Sequence, residues 1–453
     1  MTTPPVDVNA LLTTYGRPEV PLVSVAVLDN GKLYTAASPG CTPATLFQAA
    51  SISKAISAFA AMTLVRMGIL HLDQPVNDKL RSWKLQPAPG LSAAGWAPVT
   101  LRHLLCHGGA ANVRSFSGYP FGSTPPALLD ILNGVLPVNT CPVQLTGPPG
   151  VKAVYSGGGY LVLQQLLADI LQDVRPEDVP EVKGGVTVAN LIAEVVFHPL
   201  GMTSAQFTQP VKGTAAPAKA DGHDVPGGWR IYPELTAAGV WCTPTDLIRF
   251  AAGVQTGAAG TGGAKFPLTA AEGTAMLTQQ LPGWGLGVEL EGSGSGRWFR
   301  HEGSNEGYLC EVCATMSPGG PVVAIMTASD QGFQVLRPLM AAIRTQLKWP
   351  DPAACTVGKI PRPPFSYAQI EYLGAATRGN YKMATQTIQL DGTGFNWKLT
   401  IPGHSPVSVE PQDEVTLLCP SLGSDITVTR DTKMNATALT FKQSGTTVTA
   451  ARI

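Results

Sequence analysis

The amino-acid sequence predicts an α/β fold: an antiparallel sheet flanked by helices, with a helical region inserted between its first and last strands, followed by a small all-β domain. Three observations predict it. Strand-like segments open the chain and return only beyond residue 280, apolar runs of helical spacing lie between them, and short alternating segments follow a proline-rich stretch near residue 350. A sheet assembled from both ends of such a region is closed by them, and the inserted helices meet it where a site can form.

Residues 23–28 and 32–36 predict two strands of a tight hairpin, because Asn30-Gly31 between them readily takes the positive φ of a type I′ turn. Ser51 precedes a run of helical apolar spacing that stops near Gly68, a residue suited to a left-handed C-cap. Thr100 predicts the N-cap of a short helix over 101–107, closed by Gly108-Gly109, and 160–171 predicts another helix. Strands are expected over 285–290, 297–301, 308–316 and 322–327, with Ser-Pro-Gly-Gly-Pro at 317–321 as a turn, then an apolar helix over 335–349.

Prolines at 350, 352, 361, 363 and 364 make a stiff connection. The expected division is therefore a large α/β domain over 1–349, a proline-rich linker over 350–364 and a C-terminal antiparallel β domain over 365–453. In that last part, segments such as 387–390, 395–401, 415–418, 426–429 and 438–441 alternate between turn residues, which suits a small barrel or sandwich.

Composition excludes several classes. With 31 basic and 31 acidic residues the net charge is zero, so nothing attracts a phosphate backbone or an anionic lipid surface. No nucleic acid and no membrane are expected as partners. The most apolar segment, 55–70, is broken by Ser57, Thr63 and Arg66 and is shorter than the roughly 20 residues of a membrane span. The first residues lack a Lys/Arg cluster and an apolar run, so no secretory signal is read there; either a cytoplasmic location or an already processed chain is expected, the first being favoured. Eight cysteines scattered over 453 residues suit reduced, buried thiols better than a disulfide framework.

Three stretches carry chemistry. Ser51-Ile-Ser-Lys54 places a hydroxyl and an amine three residues apart at a helix start, hence on one face. A lysine buried near the positive end of a helix favours its neutral form and can serve as a base; the bland alternative is a serine-capped core helix. Tyr155-Ser156-Gly157-Gly158-Gly159 can turn a phenol into a cleft, or be a glycine-rich turn with a packing tyrosine. His301-Glu302-Gly303-Ser304 at a strand end can offer backbone N–H groups to an oxyanion together with the amide of Ser51, with Gly303 keeping the approach open; by itself it also fits an ordinary turn.

Taken in order and spacing, these residues resemble the penicillin-binding-protein-like serine hydrolases, which include class C β-lactamases, D-aminopeptidases, D,D-carboxypeptidases and esterases. The resemblance spans residues 20–349 and includes Phe47-Gln-Ala-Ala-Ser51-Ile-Ser-Lys54, Thr100-Leu-Arg-His-Leu-Leu-Cys-His-Gly108, Pro149 to Ser156, Pro199-Leu-Gly-Met202 and Ala237-Ala-Gly-Val-Trp-Cys-Thr-Pro-Thr-Asp246. It implies a β-lactamase/transpeptidase-like fold with a lipocalin-like C-terminal barrel. It implies Ser51 as nucleophile, Lys54 as its activator, Tyr155 as proton shuttle, the amides of Ser51 and Ser304 as oxyanion donors, and His301, Gly303 and Gly157 as substrate contacts. Two departures stand out: relatives that act on β-lactams or cross-link peptides commonly have Asn where this chain has Gly157, and Lys where it has His301.

The expected activity is hydrolysis of an ester or amide through an acyl-enzyme on Ser51, with no metal and no organic cofactor. A peptidase or amidase for small substrates with D-configured residues is favoured narrowly over a carboxylesterase or acyltransferase. A non-catalytic binder of D-amino acids or peptidoglycan fragments is the reading from another class. The expected partner is a small-molecule or short-peptide substrate, and a homo-oligomer is compatible with the sequence. His103 and His107, four apart, and Cys310 and Cys313, three apart, have metal-ligand spacings but read as structural. Asp73 and Asp246 read as loop and capping residues, while Glu302 and Glu306 could meet a substrate ammonium or simply be solvated.

Overall fold

The computed structural model describes residues 6–172, 187–220 and 222–349, and beyond them the strands that lie between 379 and 452. The expected linker over 350–364 and the chain up to 378 lie outside the described residues.

The principal elements are helix α1 (Val8–Tyr15), strands β1 (Val23–Asp29) and β2 (Lys32–Ala37), helices α2 (Ile52–Arg66), α3 (Leu101–Leu105), α4 (Gly157–Leu171) and α5 (Pro244–Ala259), strands β3 (Glu289–Glu291), β4 (Trp298–Asn305), β5 (Tyr308–Thr315) and β6 (Val322–Thr327), and helix α6 (Phe333–Gln346). The six strands form one antiparallel sheet in the order β2-β1-β6-β5-β4-β3, so the N-terminal hairpin pairs with the last strand of the region. Val25 faces Ile325 on one side and Ala36 on the other. The hairpin turns as expected, with Asn30 at φ +47° and Gly31 at +75°.

Both faces of this sheet are covered, which is why β1 and β6 read as nearly unbroken apolar runs. One face, with Val25, Val27, Cys313 and Ile325, packs on α1 and α6. The other, with Ala26, Val312, Ala324 and Met326, belongs to the larger core shared with α2 and α5. Cys310 and Cys313 fall into different cores, which disposes of their metal-ligand spacing. They are free thiols, as are the buried Cys106 and Cys242. Helix α2 is buried without interruption from Ile52 to Leu64, a core helix rather than an amphipathic one. Each large apolar side chain fully buried there contributes about 1.5–3 kcal/mol, so the end that carries Ser51 is firmly seated.

Beyond residue 378, eight strands from Gly379–Met383 to Thr446–Arg452 pair each with the next, and Tyr381 meets Arg452 to close the ring. A closed barrel leaves no strand edge exposed, and Tyr381, Leu390, Leu399, Val428, Leu439 and Ala450 are buried. Barrel, not sandwich, is the outcome of the alternation read in the sequence.

Four boundaries moved. Helix α4 starts at Gly157, not 160, and α3 ends at Leu105, leaving His107 in the left-handed region at φ +59°. Strand β3 holds only Glu289–Glu291, because Gly285 and Leu286 donate to Val288 and Met276 instead of to a sheet neighbour. Strand β4 runs on through the third motif to Asn305.

On the face of β4 that turns toward α6, Arg300 lies among Glu289 at 3.5 Å, Glu311 at 3.2 Å and Glu302. Burial raises the Glu289 and Glu311 carboxyls, with Arg300 opposing. Deleting one partner of such a cluster strands the others. Arg300→Met is expected to destabilise the fold by about 3–5 kcal/mol near neutral pH. A carboxyl raised by folding loses stability as pH climbs past its unfolded value, so urea unfolding should show a larger deficit at pH 8 than at pH 5; equal deficits would count against the cluster.

Candidate active site

Ser51 opens α2, and Lys54 follows one turn later. The Lys54 Nζ donates to Ser51 Oγ at 2.9 Å and to the carbonyl of Ala237 at 2.9 Å. Lys54 is only 1% exposed, and burial lowers its ammonium to about 7. Preceding Ser51, Ala50 takes φ +48°, an unusual conformation for a residue with a Cβ. The amides of Ile52, Ser53 and Lys54 bind the carbonyls of Ala49, Ala50 and Ser51, and the Ser51 amide lies outside that ladder.

The Ala237 carbonyl is brought in from far along the chain. Phe47 and Gln48 pair with Cys242 and Trp241, Ala49 N–H donates to Val240 O at 2.8 Å, and Ser53 Oγ accepts from Val240 N–H at 3.0 Å. These bonds stitch the segment 237–242 onto the start of α2.

Tyr155 is buried, with its ring centroid 5.0 Å from Lys54 Nζ, 6.0 Å from the Arg114 guanidinium and 4.3 Å from the His107 ring. Ser156 caps α4, accepting from Gly159 N–H at 2.8 Å. The glycines are there because the 112–116 segment lies on the helix start: Gly157 and Gly158 donate to the Arg114 and Val113 carbonyls at 3.1 and 2.7 Å. A Cβ on Gly158 would meet Asn112 O at 2.4 Å, and one on Gly157 would meet the Phe116 ring at 2.7 Å. Space that a larger residue at 157 would need is thus held by Phe116, and Gly157 sits buried beneath it.

The third motif lies within β4. Side chains alternate along it: His301, Gly303 and Asn305 face α2 and its surroundings, while Arg300 and Glu302 face the ion cluster. Gly303 permits a close approach, since a Cβ there would meet Ala49 O at 2.2 Å and Cys310 Sγ at 2.5 Å. Asn305 Nδ2 donates to Gln48 Oε1 at 2.6 Å and to Ala238 O at 3.2 Å, tying the strand to both other segments. Strand β3 pairs with β4 only as far as Arg300, so among the described residues no strand covers the outer backbone edge of 301–305. Ser304 shares the alternation of Glu302, so its side chain is on the face away from α2. His301 is buried, its Nδ1–H donating to Glu302 O at 2.6 Å, and burial with the nearby Lys54 charge pushes its pKa down to about 3. The imidazole is neutral and carries its lone pair on Nε2. Its ring lies 6.3 Å from that of Tyr155 and 6.2 Å from that of Trp284.

The remaining acidic candidates are occupied. Glu302 is paired with Arg300, Glu306 with Arg230 at 3.0 Å, and Asp73 with Arg102 through two bonds of 2.7 Å. Asp246 closes a capping box with Thr243 at the start of α5. No group of three or more candidate metal ligands occurs among the described residues, and His103 instead completes the capping box of α3. The sequence reading missed Gln48, Trp284 and Glu234. Glu234 is fully buried, its carboxyl is pushed up to about 8 by burial, and neither oxygen has a hydrogen-bond partner among the described residues. A lone Trp between glycines and a Glu after Pro233 carry no local signal.

The family described as Beta-lactamase matches residues 8–346. No curated protein sequence matches the chain. Among solved structures, SurE with D-Leu is similar over 98% of this chain and 98% of that one, at 20% identity and a TM-score of 0.55. The octameric penicillin-binding protein homologue from Pyrococcus abyssi is similar over 98% of each chain, at 18% identity and a TM-score of 0.55. D-amino acid amidase from Ochrobactrum anthropi SV3, complexed with D-phenylalanine, covers 75% of this chain and 98% of its own, at 18% identity and a TM-score of 0.57. Likeness at these identities is one of fold, and for the first two it extends over the C-terminal barrel.

The contact beneath Gly303 yields a prediction. Gly303→Ala forces β4 away from the Ala49 carbonyl, which is expected to cost about 1–3 kcal/mol and to displace the strand from Ser51. Denaturant unfolding combined with the rate of Ser51 modification measures both; a variant that is stable and reacts at the wild-type rate would show that the close approach is dispensable.

Proposed function

Since the chain belongs to the Beta-lactamase family of serine hydrolases, we propose that it cleaves an ester or amide through an acyl-enzyme on Ser51. The observation that carries this reading is the 2.9 Å contact between the buried Lys54 Nζ and the partly exposed Ser51 Oγ. With its ammonium lowered to about 7, Lys54 is substantially neutral at physiological pH and its lone pair takes the serine proton as Oγ attacks the carbonyl. The oxyanion is met by the amides of Ser51 and Ser304. Tyr155 passes a proton to the leaving alcohol or amine and then takes one from the water that releases the acid. Lys54 and Arg114 flank its ring, so negative charge developing on the phenol oxygen is stabilised. A binder without chemistry would have no use for a lysine desolvated against a serine.

The substrate we favour is a small amide or peptide with a D-configured residue. Supporting it are the fold relatives crystallised with D-Leu and D-phenylalanine, and a D-stereospecific amidohydrolase from Streptomyces among the similar structures. His301 and the buried Gly157 stand where relatives that act on β-lactams carry Lys and Asn, which speaks against a dedicated β-lactamase. One observation favours the carboxylesterase reading: Glu302 and Glu306 are already paired and Glu234 is held neutral, so none of the three offers an anion to a substrate ammonium. We also keep the division at 350–364 as part of the proposal, with a catalytic domain over 1–349 and the barrel domain over 365–453; the family match ending at residue 346 supports it.

Ser51→Ala is expected to abolish turnover and labelling by an active-site-directed phosphonate; retained labelling would remove Ser51 from the mechanism. In the wild type, the phosphonylation rate should rise with pH through about 7, as Lys54 loses its proton. His301, pushed to about 3, contributes nothing to that limb. A rate flat between pH 5 and 9 would exclude Lys54 as base. Paired D- and L-aminoacyl anilides assayed beside nitrophenyl esters decide the substrate class: faster turnover of D-anilides supports the amidase, ester turnover alone the carboxylesterase.

A further inference from the structure

We propose that His107 is a positioning residue for Tyr155, holding the residues on both sides of it while its ring lies against the phenol. The contacts form a bracket. The His107 carbonyl accepts from Val154 N–H at 2.8 Å, and its Nδ1 accepts from Ser156 N–H at 3.1 Å. Between these two anchors the Tyr155 ring lies at a 4.3 Å centroid distance from the imidazole, tilted by 37°. Trp284 at 4.4 Å and Tyr160 at 5.4 Å also pack against the imidazole and restrict its movement. With Val154 and Ser156 both pinned to one residue, the backbone of Tyr155 has little freedom, and its ring is stopped by the same side chain.

The bracket works only if the imidazole is neutral with its proton on Nε2, because Nδ1 must accept. Burial, helped by the positive charges of Lys54 and Arg114, holds its pKa well below the ordinary histidine value. A packing role alone explains the residue poorly. Its Nε2 is buried with no hydrogen-bond partner among the described residues, a cost that Phe or Leu in the same space would avoid. His107 also adopts φ +59°, outside the helix that precedes it, where Gly or Asn would be less strained. The polar ring atom that does find a partner is the one that fixes the tyrosine loop.

This inference rests on Tyr155 being the proton shuttle, and the test separates the two. His107→Asn keeps an acceptor oxygen near the Nδ1 position and tolerates a positive φ, whereas His107→Phe keeps a ring without an acceptor. Loss of one such hydrogen bond is expected to lower kcat for His107→Phe about tenfold with KM changed less, while His107→Asn stays within about threefold of wild type. In a Tyr155→Phe background neither change should slow turnover further. If His107→Phe does not fold, as judged by its thermal melt, His107→Gly replaces it as the variant without an acceptor. Equal fold losses with and without the Tyr155 hydroxyl, or an Asn variant no faster than the variant without an acceptor, would overturn the positioning role alone. A Tyr155→Phe enzyme that turns over normally would overturn the shuttle, and the positioning role with it.

Discussion

The structure of this site depends on a lysine kept out of water. Lys54 Nζ has two oxygen neighbours within 2.9 Å, a hydroxyl and a carbonyl, and neither carries a charge. Among the described residues no carboxylate pairs with it to stabilise an ammonium, which is why burial alone sets the direction of its proton affinity. Had an aspartate replaced the Ala237 carbonyl, the lysine would be a permanent cation and Ser51 a capped helix start. The burial of α2 from Ile52 to Leu64 takes the amine out of solvent, while Ser51 at the helix start stays partly exposed.

Holding a carbonyl at that spot requires residues nearly two hundred positions away to lie on the first turn of α2. The pairing of 47–48 with 241–242, the Ser53 bond to Val240 and the Asn305 bonds to Gln48 and Ala238 bring three segments to one point. Each bond is modest, about 0.5–1.5 kcal/mol net, but together they fix a geometry that a shift of one ångström would spoil. Glycine serves the same end twice: at 303, where β4 touches the Ala49 carbonyl, and at 157–158, where the 112–116 segment rests on α4.

Much of this was legible in the sequence, and the failures have physical causes. Strands β1, β2, β5 and β6 announce themselves because their periodicity and turn residues agree with their surroundings. The glycine run at 157–159 reads as a turn, since glycine disfavours helix interiors; close approach by a second segment overrides that preference, and nothing local reveals it. Likewise, 285–288 looks like strand but spends its hydrogen bonds on a turn with Met276. Ser51, Lys54 and Tyr155 stand out because they are chemically unusual where they sit. Ala237 contributes only a backbone carbonyl, and Gln48 and Asn305 are ordinary amides, so their parts emerge only from contacts across the fold.

Strand β4 divides two electrostatic worlds by its two-residue period. Arg300 and Glu302 point to one side, into a cluster rich in carboxyls; His301, Gly303 and Asn305 point to the other, where Lys54 and Arg114 are the basic side chains and His107 and His301 are neutral. The separation has a consequence for chemistry. If the strand slipped by one residue, Glu302 would face Lys54, the ammonium would be stabilised, and the base would be lost. The Arg300 cluster holds the acidic side chains of the strand on the far face, and so bears on the proton state of a lysine that it never touches.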